Sequence, residues 1–598
     1  MDHQKYGRVT VSMISSKIND KKIIIKLKNR VCDTSEELLC SDLFATILTM
    51  AVKELSKRKS ILLDIFANKD DIKEEDIKLL IDTFHYICKM PVSLVEQVVK
   101  GSEQFSKNPE LLNDFVQYLY NYWRNFNRFI VCHSEDDGLE TRPYRTFHST
   151  IEQLNHLVRK TYRDLQINIT HHPKVFRQVT AGAELAAISI IGEIPFSGQV
   201  YDKLNQIQMI RQVCIYPPLV LDPPMNKRNG KFERIAKNPL DVVDINAEEW
   251  LCYPAKVGPL VIAIYFHERF FELGFSLCNL FEIADDDELK KQPDAVFLFG
   301  VPGNTLDDLT NVLPTVFYED NENEMLVAAI PNRDEFGYFG YLKKMVLTLH
   351  NIRMMKNGKM PFHGAMARII LKGNKEANVL VMGDTGAGKS ETLEAFRVLG
   401  EEYIQDIIVI ADDMGSLSIN DEGDVIGYGT EIGAYVRLDD LNPGYAFGQI
   451  DRAIIMNPSQ KNARTILPVT TYDKIVKGHK VDFLLYCNNF DQIDEDHPII
   501  EEFPNATEAI NVFRAGAVMS KGTTTSTGLV QTYFANVFGP SQYRQLHERI
   551  AKKYFNAFFK QGIFVGQMRT RLSIAGWERR GPEEAARVLL QMILSKSN

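Results

Sequence analysis

The sequence has few cysteines, no long apolar run and no excess of positive charge. Its eight cysteines among 598 residues include no Cys-x-x-Cys pair and no zinc-binding spacing, so reduced thiols in a cytoplasmic protein are the simple interpretation. The N-terminus lacks the apolar core of a signal peptide, and no apolar run is long enough to span a bilayer. The net charge of −9 gives no general electrostatic reason to bind nucleic acid or an anionic membrane. We therefore expect a cytoplasmic protein without nucleic-acid or membrane partners.

The remaining composition is that of an ordinary globular protein, with 45% hydrophobic and 25% charged residues. The length predicts two or three folded units. Residues 1–130 are expected to form a mainly helical region, because apolar residues recur there at helical spacing. Asn108 as N-cap and Pro109 at the first helical position predict one of its helices. Residues 131–340 carry short apolar runs between Pro- and Gly-containing turns, which predicts a mixed α/β domain.

Residues 341–598 show the alternation of strands and helices that is typical of the α/β class. Helical periodicity covers residues 341–355, and a β-rich run covers residues 378–382. The following helix is expected over residues 390–399 and to stop at Gly400. A second buried run occupies residues 407–410.

A glycine-rich loop of the type Gly-x-x-x-x-Gly-Lys-Ser lies between the predicted strand and helix. Its glycines permit positive φ angles and let backbone N–H groups point inward, Lys389 supplies a cation to phosphate, and Ser390 offers a hydroxyl to Mg²⁺. The alternative is a glycine turn with an incidental lysine. The context favours a site for a nucleotide or another polyphosphate, formed by Gly383, Asp384, Thr385, Gly386, Ala387, Gly388, Lys389 and Ser390.

Two carboxylates, Asp412 and Asp413, end the apolar run that follows the phosphate loop. Mg²⁺ and Mn²⁺ prefer oxygen ligands, and a carboxylate at the end of a strand beside the loop is well placed to hold one. Adjacent acids are also common in solvated turns. Their position after a buried strand favours the metal-binding interpretation.

Several segments occur in the order seen in phosphoenolpyruvate carboxykinases, and the sequence resembles that family over about residues 330–575. Residues 337–344 are similar to the family's Tyr-x-Gly-x-x-Lys-Lys segment, which implies that Tyr338 contacts substrate and Lys344 binds a transition metal. Residues 362–367 look like its His-x-Ser-Ala-Asn segment, which implies that His363 is a second metal ligand.

The phosphate loop itself is similar to the family's kinase-1a motif, with Thr385 in place of a serine. Residues 410–413 resemble its kinase-2 segment, which implies that Asp413 rather than Asp412 is the principal metal ligand. Residues 428–437 resemble its Phe-Glu-Gly-Gly-Cys-Tyr-Ala-Lys segment, which makes Glu431 a candidate catalytic carboxylate. The resemblance implies a carboxykinase-like P-loop domain, with ATP (or GTP or pyrophosphate), Mg²⁺, Mn²⁺ and a small anionic substrate.

Two arginine-bearing segments of the family have no counterpart in this sequence. Its Gly-Arg-Ser-Pro-Lys-Asp segment is not found in residues 1–330, and residues 486–491 stand where a Ser-Arg-Leu-Thr segment is expected. Another arginine could bridge phosphate and substrate charge. The candidates that the sequence offers are Arg142, Arg145, Arg464 and Arg514.

Three functional hypotheses follow. The first is a carboxykinase-like enzyme whose nearest precedent is the conversion of oxaloacetate to phosphoenolpyruvate, with Lys389, Tyr338 and Glu431 as catalytic residues. The second is a kinase of the same fold that acts on another small molecule or on a protein. The third is a nucleotide-binding regulatory protein with little catalysis, which the helical N-terminal region and the missing arginine segments favour.

Overall fold

The computed structural model describes residues 13–596 except 20, 28–31, 135–141, 172–178, 217, 230, 374, 439–440, 442–449, 522–526, 538 and 540. It is a mixed α/β protein that divides into two compact units. Unit 1 contains residues 1–192 and 210–219, and unit 2 contains residues 193–209 and 220–598. The regions predicted with boundaries at residues 130 and 340 stay predictions.

Unit 1 is mainly helical and also contains strands. Its helices are Ser35–Leu39, Asp42–Lys57, Glu74–Ile87, Val92–Val95, Glu103–Ser106, Pro109–Arg124 and Arg142–Thr170. Its strands are β1 (Met13–Asn19), β2 (Lys22–Leu27), β3 (Asn127–Ser134), β4 (Leu185–Ile190) and the part of β5 (Gln208–Ile215) from Ile210 onward. Neighbouring strands follow the order β1-β2-β3-β4-β5, with β1 antiparallel to β2, and β2, β3 and β4 mutually parallel. The first two strands are an addition to the mainly helical region that the sequence predicts.

Local capping explains one predicted helix in full. The Asn108 side chain accepts a hydrogen bond from the Leu111 N–H, and Pro109 occupies the first helical position, where its missing N–H costs little. The helix Pro109–Arg124 buries Leu112, Phe115 and Leu119 against the core of unit 1.

Unit 2 holds most of the strands. They are β6 (Leu219–Leu221), β7 (Glu233–Arg234), β8 (Trp250–Val257), β9 (Leu260–His267), β10 (Ala295–Val301), β11 (Val316–Asp320), β12 (Met325–Pro331), β13 (Met360–Leu371), β14 (Glu376–Met382), β15 (Ile404–Ala411), β16 (Met414–Ile419), β17 (Val425–Gly429), β18 (Gly433–Arg437), β19 (Ile454–Met456), β20 (Arg464–Pro468), β21 (His479–Lys480), β22 (Phe483–Asn488), β23 (Ile500–Glu502), β24 (Ala517–Lys521), β25 (Thr527–Gln531) and β26 (Phe564–Arg569).

These strands form several sheets. One runs β8-β9-β10-β12-β11-β7, and a larger one runs β21-β17-β16-β13-β14-β22-β26-β23 with β15 paired to β13. A third runs β18-β20-β19-β6, and β24 pairs with β25. The helices of the unit are Phe271–Phe275, Asp286–Leu289, Phe339–Lys356, Lys389–Tyr403, Tyr472–Val476, Ala506–Ala515, Arg544–Lys560 and Arg580–Lys596.

The strand, loop and helix predicted around the phosphate loop are present, with one correction. Strand β14 ends at Met382, and the helix begins at Lys389. The predicted stop at Gly400 is wrong, because the helix continues to Tyr403. Glu401 and Glu402 are good helix formers, so they carry the helix past a glycine that costs only about 1 kcal/mol relative to alanine.

The helix Phe339–Lys356 is buried on nearly every side, which suits a helix that places charged side chains inside unit 2. Within the described ranges, no helix is both long enough and apolar enough to cross a membrane.

Candidate active site

The phosphate loop is a tight turn whose shape depends on its glycines. Gly386 and Gly388 have φ angles of 79° and 104°, in the region that favours glycine. A Cβ atom on Gly388 would lie 2.7 Å from the Thr570 hydroxyl, and one on Gly383 would lie 2.9 Å from the Ala387 side chain. The loop therefore needs glycine at these positions for both conformation and space.

Lys389 is buried under this loop. Its Nζ donates to the carbonyl oxygens of Gly383 at 2.7 Å and of Asp384 at 3.1 Å. The lysine thus donates its hydrogen bonds to the loop backbone, and it lies where a phosphate bound on the loop would contact it. Ser390 follows in the first turn of the helix, and its side chain is outside the described part of the chain.

Side chains from beyond the loop hold its backbone. The Asn489 amide donates to the carbonyls of Gly386 at 2.9 Å and Met519 at 3.0 Å and accepts from the Met519 N–H at 2.9 Å. The Ala387 carbonyl accepts from the Thr570 hydroxyl at 2.8 Å and from the Cys487 thiol at 3.1 Å. These supporting residues are not predictable from the sequence, because they come from the ends of strands β22 and β26, far along the chain.

A buried ionic cluster lies beside the loop. It comprises Lys343, Lys344, His363, Asp413 and Glu431. Asp413 is its centre. The Asp413 carboxylate is 3.0 Å from Lys343 Nζ, 2.9 Å from Lys344 Nζ and 3.0 Å from His363 Nε2.

The three residues that the sequence predicts as metal ligands, Lys344, His363 and Asp413, are therefore brought together. The helix Phe339–Lys356 supplies the lysine and strand β13 the histidine, while Asp413 follows strand β15.

Glu431 and Lys343 complete the cluster. Lys343 Nζ is 3.0 Å from Glu431 Oε1, and the Glu431 side chain has no exposed surface. Glu431 Oε2 has no hydrogen-bond donor among the described residues. Lys343 is 1% exposed. The only signal for its role was its place next to Lys344.

Burial and neighbouring charges set the protonation states of the cluster. Burial, reinforced by Lys343, lowers the pKa of Lys344 to about 8, against the pull of Asp413. Burial also raises the pKa of Glu431 to about 7, against the attraction of Lys343. Although burial opposes ionisation of Asp413, the two lysines hold its pKa well below the usual range. The cluster thus contains a fixed carboxylate, together with a lysine and a glutamate that can each exchange a proton near neutral pH.

His363 joins the cluster to the loop. Its Nδ1 lies within hydrogen-bond distance of the Ala535 carbonyl and 4.0 Å from the Asp384 carboxylate. Burial, together with the charge of Lys389, lowers the pKa of His363. Because a carbonyl only accepts, Nδ1 is the nitrogen that donates to Ala535, and Nε2 is the nitrogen that faces the Asp413 carboxylate, at 3.0 Å.

Ala535 belongs to an unusual turn. Phe534, Ala535 and Asn536 have positive φ angles of 45°, 55° and 61°, which is uncommon for three consecutive residues other than glycine. The turn delivers the Ala535 carbonyl to the imidazole.

Asp412 lies next to Asp413 but forms none of the ion pairs of the cluster. It is half-buried, and burial raises its pKa. Counting only His, Cys, Asp and Glu, the described residues contain no group of three that could hold a metal ion. This statement does not cover the set of Lys344, His363 and Asp413, because one of the three is a lysine.

Tyr338 is not part of this cluster. It caps the helix Phe339–Lys356, and its ring centroid is 6.3 Å from that of Tyr435. The Arg464 guanidinium lies over the Tyr435 ring at 5.1 Å, and its buried Nε has no hydrogen-bond partner among the described residues. Arg228, which the sequence did not single out, is close enough to Tyr338 and Tyr341 to interact with them, and burial lowers its pKa.

The structure separates the arginines that the sequence could not rank. Arg514 is engaged with the Glu548 carboxylate at 2.9 to 3.1 Å. The side chains of Arg142 and Arg145 lie outside the described part of the chain. Of the two arginines whose side chains are described, Arg464 lies over the Tyr435 ring and keeps an unpaired Nε among the described residues, so it is the candidate that the geometry favours.

A scan against protein-family models finds no match for this chain, and a search of the curated proteins finds no relative.

Proposed function

We propose that this protein is a metal-dependent phosphoryl-transfer enzyme of the phosphoenolpyruvate carboxykinase type, acting on a small anionic substrate. The observation that carries the proposal is the convergence of Lys344, His363 and Asp413 beside a glycine-rich loop that ends in Lys389. A phosphate-binding loop alone would fit many nucleotide-binding proteins. A second set of ligands next to it suits an enzyme that activates an acceptor for the phosphoryl group.

The residues form two groups, one for the transferred phosphate and one for the metal ion that polarises the acceptor. The loop N–H groups and Lys389 would stabilise charge on the transferred phosphate of ATP, GTP or pyrophosphate, and Ser390 would hold its Mg²⁺. Lys344, His363 and Asp413 would hold Mn²⁺, which supplies polarisation of a carboxylate or enolate oxygen. The lowered pKa of Lys344 suits a ligand that must donate a lone pair. Lys343 and Glu431 would set the charge and orientation of this set from behind.

The acceptor is expected to be anionic. Arg464 and Arg228 place positive charge near Tyr338, in a partly buried setting where a carboxylate or phosphate gains more from it than in water. In the precedent reaction, the bond from oxaloacetate C3 to its terminal carboxylate breaks with release of CO₂. The enolate oxygen then takes the terminal phosphoryl group, and the nucleotide loses that group.

The test is product formation from oxaloacetate and ATP, GTP or pyrophosphate in the presence of Mg²⁺ and Mn²⁺, in the wild type and in two lysine variants. Lys389→Ala is expected to lower turnover by at least about 10³-fold, because it removes a cation from the transferring phosphate. Lys477→Ala is the matched control, because Lys477 is exposed. Full turnover in Lys389→Ala would overturn the assignment of this residue.

The missing family segments keep one alternative open, a kinase of the same fold with another acceptor. A wild type that transfers phosphate to a different small anion or to a protein, but not to oxaloacetate-derived enolate, would replace the precedent reaction with this one. Tight nucleotide binding without transfer to any acceptor would instead indicate a regulatory protein.

A further inference from the structure

Unit 1 contains an apolar cavity to which the proposed reaction gives no role. Its volume is about 110 Å³. Strand β2 and the helices Ser35–Leu39, Asp42–Lys57, Pro109–Arg124 and Arg142–Thr170 surround it. None of the described side chains that line it is charged.

The polar groups in the cavity wall are committed elsewhere. The Tyr120 hydroxyl donates to the Val179 carbonyl at 3.0 Å, and Trp123 Nε1 donates to the Ala181 carbonyl at 2.6 Å. The Thr161 hydroxyl donates to Ser35 Oγ at 2.9 Å, and the Tyr162 hydroxyl donates to the Gln117 amide oxygen. Each of these wall residues therefore presents mainly carbon to the cavity.

The Ser41 hydroxyl is used in the same way. It donates to the Leu38 carbonyl at 2.8 Å and accepts from the Phe44 N–H at 3.1 Å. A water molecule inside a protein needs two to four polar partners, and these hydroxyls do not offer them. The cavity is therefore a poor site for water and a poor site for any ligand that carries a charge.

Size and shape define what fits. A leucine-lined cavity of about 150 Å³ takes up benzene or xenon. At about 110 Å³ this cavity is somewhat smaller, so a single ring or a short alkyl group is the largest occupant that its volume suits. Tyr120 and Tyr162, whose stacked rings are 4.0 Å apart, are among the lining residues, as is Trp123. Leu38, Phe44, Trp123 and Val158 are only half-buried, so the lining reaches toward the surface of the unit.

From these observations we infer that unit 1 binds a small uncharged hydrocarbon group, an aromatic ring or an alkyl group of about the size of benzene, in this cavity. Burial of carbon surface supplies the affinity, and the absence of charged side chains from the lining excludes charged ligands.

The experiment uses the full chain with benzene and xenon as neutral probes and benzoate as a charged probe. Benzene at about ten times its dissociation constant is expected to raise the unfolding midpoint by about 2–4 °C, and benzoate is expected to leave it unchanged. Xenon is a heavy atom that quenches nearby indoles, so it is expected to quench the Trp123 part of the fluorescence. The chain has three tryptophans, and Trp123→Phe removes the one in the cavity wall.

Val158→Phe fills the cavity, and Val98→Phe makes the same change at a position that is 53% exposed. Loss of the benzene shift in Val158→Phe but not in Val98→Phe supports the inference. An equal shift in both variants, an equal shift with benzoate, or no shift in the wild type overturns it.

If Val158→Phe does not fold, xenon quenching in the wild type and in Trp123→Phe tests the site instead. Saturable quenching that disappears in Trp123→Phe supports the site. Quenching that persists in that variant, or that is absent from the wild type, overturns it.

Discussion

In each unit an arginine or a lysine is buried against a carboxylate, but the two ion pairs differ in the hydrogen-bond partners that their atoms find. In unit 1, Arg128 Nη2 donates to Glu184 at 3.1 Å, its Nε donates to the Gly182 carbonyl at 2.7 Å, and its Nη1 donates to the Trp123 carbonyl at 2.9 Å. In unit 2, Lys343 meets two carboxylates, and Glu431 Oε2 has no donor among the described residues.

This is the difference that we expect between a structural ion pair and a ligand-binding or catalytic site. A buried charge whose hydrogen-bond partners all lie within the fold stabilises one conformation. A buried carboxylate with an oxygen that has no hydrogen-bond donor instead costs free energy that the rest of the fold must offset. Such a cost is expected where a ligand or a transition state supplies the missing partner.

The largest effect on stability is expected from Asp413→Asn, which removes the charge at the centre of the ionic cluster. The buried Lys343 and the half-buried Lys344 would then lose the carboxylate that they share, and we expect the free energy of unfolding of unit 2 to fall by about 3–5 kcal/mol. Urea unfolding in a Trp123→Phe background reports on this unit, because Trp250 and Trp577 both belong to it.

Asp412→Asn is the matched control for this change. Asp412 is the adjacent carboxylate and forms none of the ion pairs of the cluster, so its substitution is expected to cost less than about 1 kcal/mol. Equal losses in the two variants would show that Asp413 is not the centre of the cluster.

Glu431→Gln is expected to change the pH dependence of stability. The folded pKa of Glu431, about 7, lies above its ordinary value of 4.5. Between these values the unfolded chain releases the proton that the folded chain retains, so this group lowers stability as pH rises from 4.5 to 7.

The difference between wild type and Glu431→Gln is therefore expected to grow across that window by about 2–3 kcal/mol, in favour of the variant. Unfolding measured at steps of pH checks this, and the exposed Glu110→Gln controls for the loss of one carboxylate. A difference that stays constant from pH 4.5 to 7 would contradict the raised pKa.

Arg128→Met is expected to have the smallest of these effects. It removes three hydrogen bonds but leaves Glu184 29% exposed and able to reach water, so we expect a loss of about 1.5–3 kcal/mol. The Trp123 ring, 5.4 Å from the Arg128 guanidinium, reports the unfolding of this unit by fluorescence.

Paired substitutions then sharpen the contrast. Arg128→Met with Glu184→Leu is expected to recover most of the lost stability and to leave turnover unchanged. Lys343→Met with Glu431→Leu is expected to keep or increase the stability of unit 2 while turnover falls steeply. If the second pair keeps full turnover, the ionic cluster is structural and the contrast fails.

How far the sequence predicts this structure depends on the range of the interactions concerned. The helix Pro109–Arg124 follows from Asn108 and Pro109 because a cap and its helix are neighbours in the chain. The strand and helix around the phosphate loop follow from local pattern as well. Strands β1 and β2 escape prediction because their pairing partners, and not their short apolar runs, make them strands.

The candidate site divides in the same way. Lys344, His363 and Asp413 are predictable as a set because the order of their segments resembles a known family, and the structure brings them together. Lys343 was not predictable, because a helix buried on all sides has no polar face against which a buried lysine stands out. Arg464 could not be separated from Arg514, because its place over the Tyr435 ring is a contact between residues that are far apart in the sequence.

The buried thiol of Cys487, beneath the phosphate loop, provides a way to measure how often the loop opens. Cys487 has no exposed surface, and burial raises its pKa to about 12, so in the closed state it is neither accessible nor ionised. An alkylating reagent can reach it only in the moments when the loop lifts away from strand β22. The rate at which Cys487 is labelled therefore reports how often the loop opens, and slower labelling in the presence of a nucleotide or pyrophosphate is the result expected if the proposed ligand binds the loop.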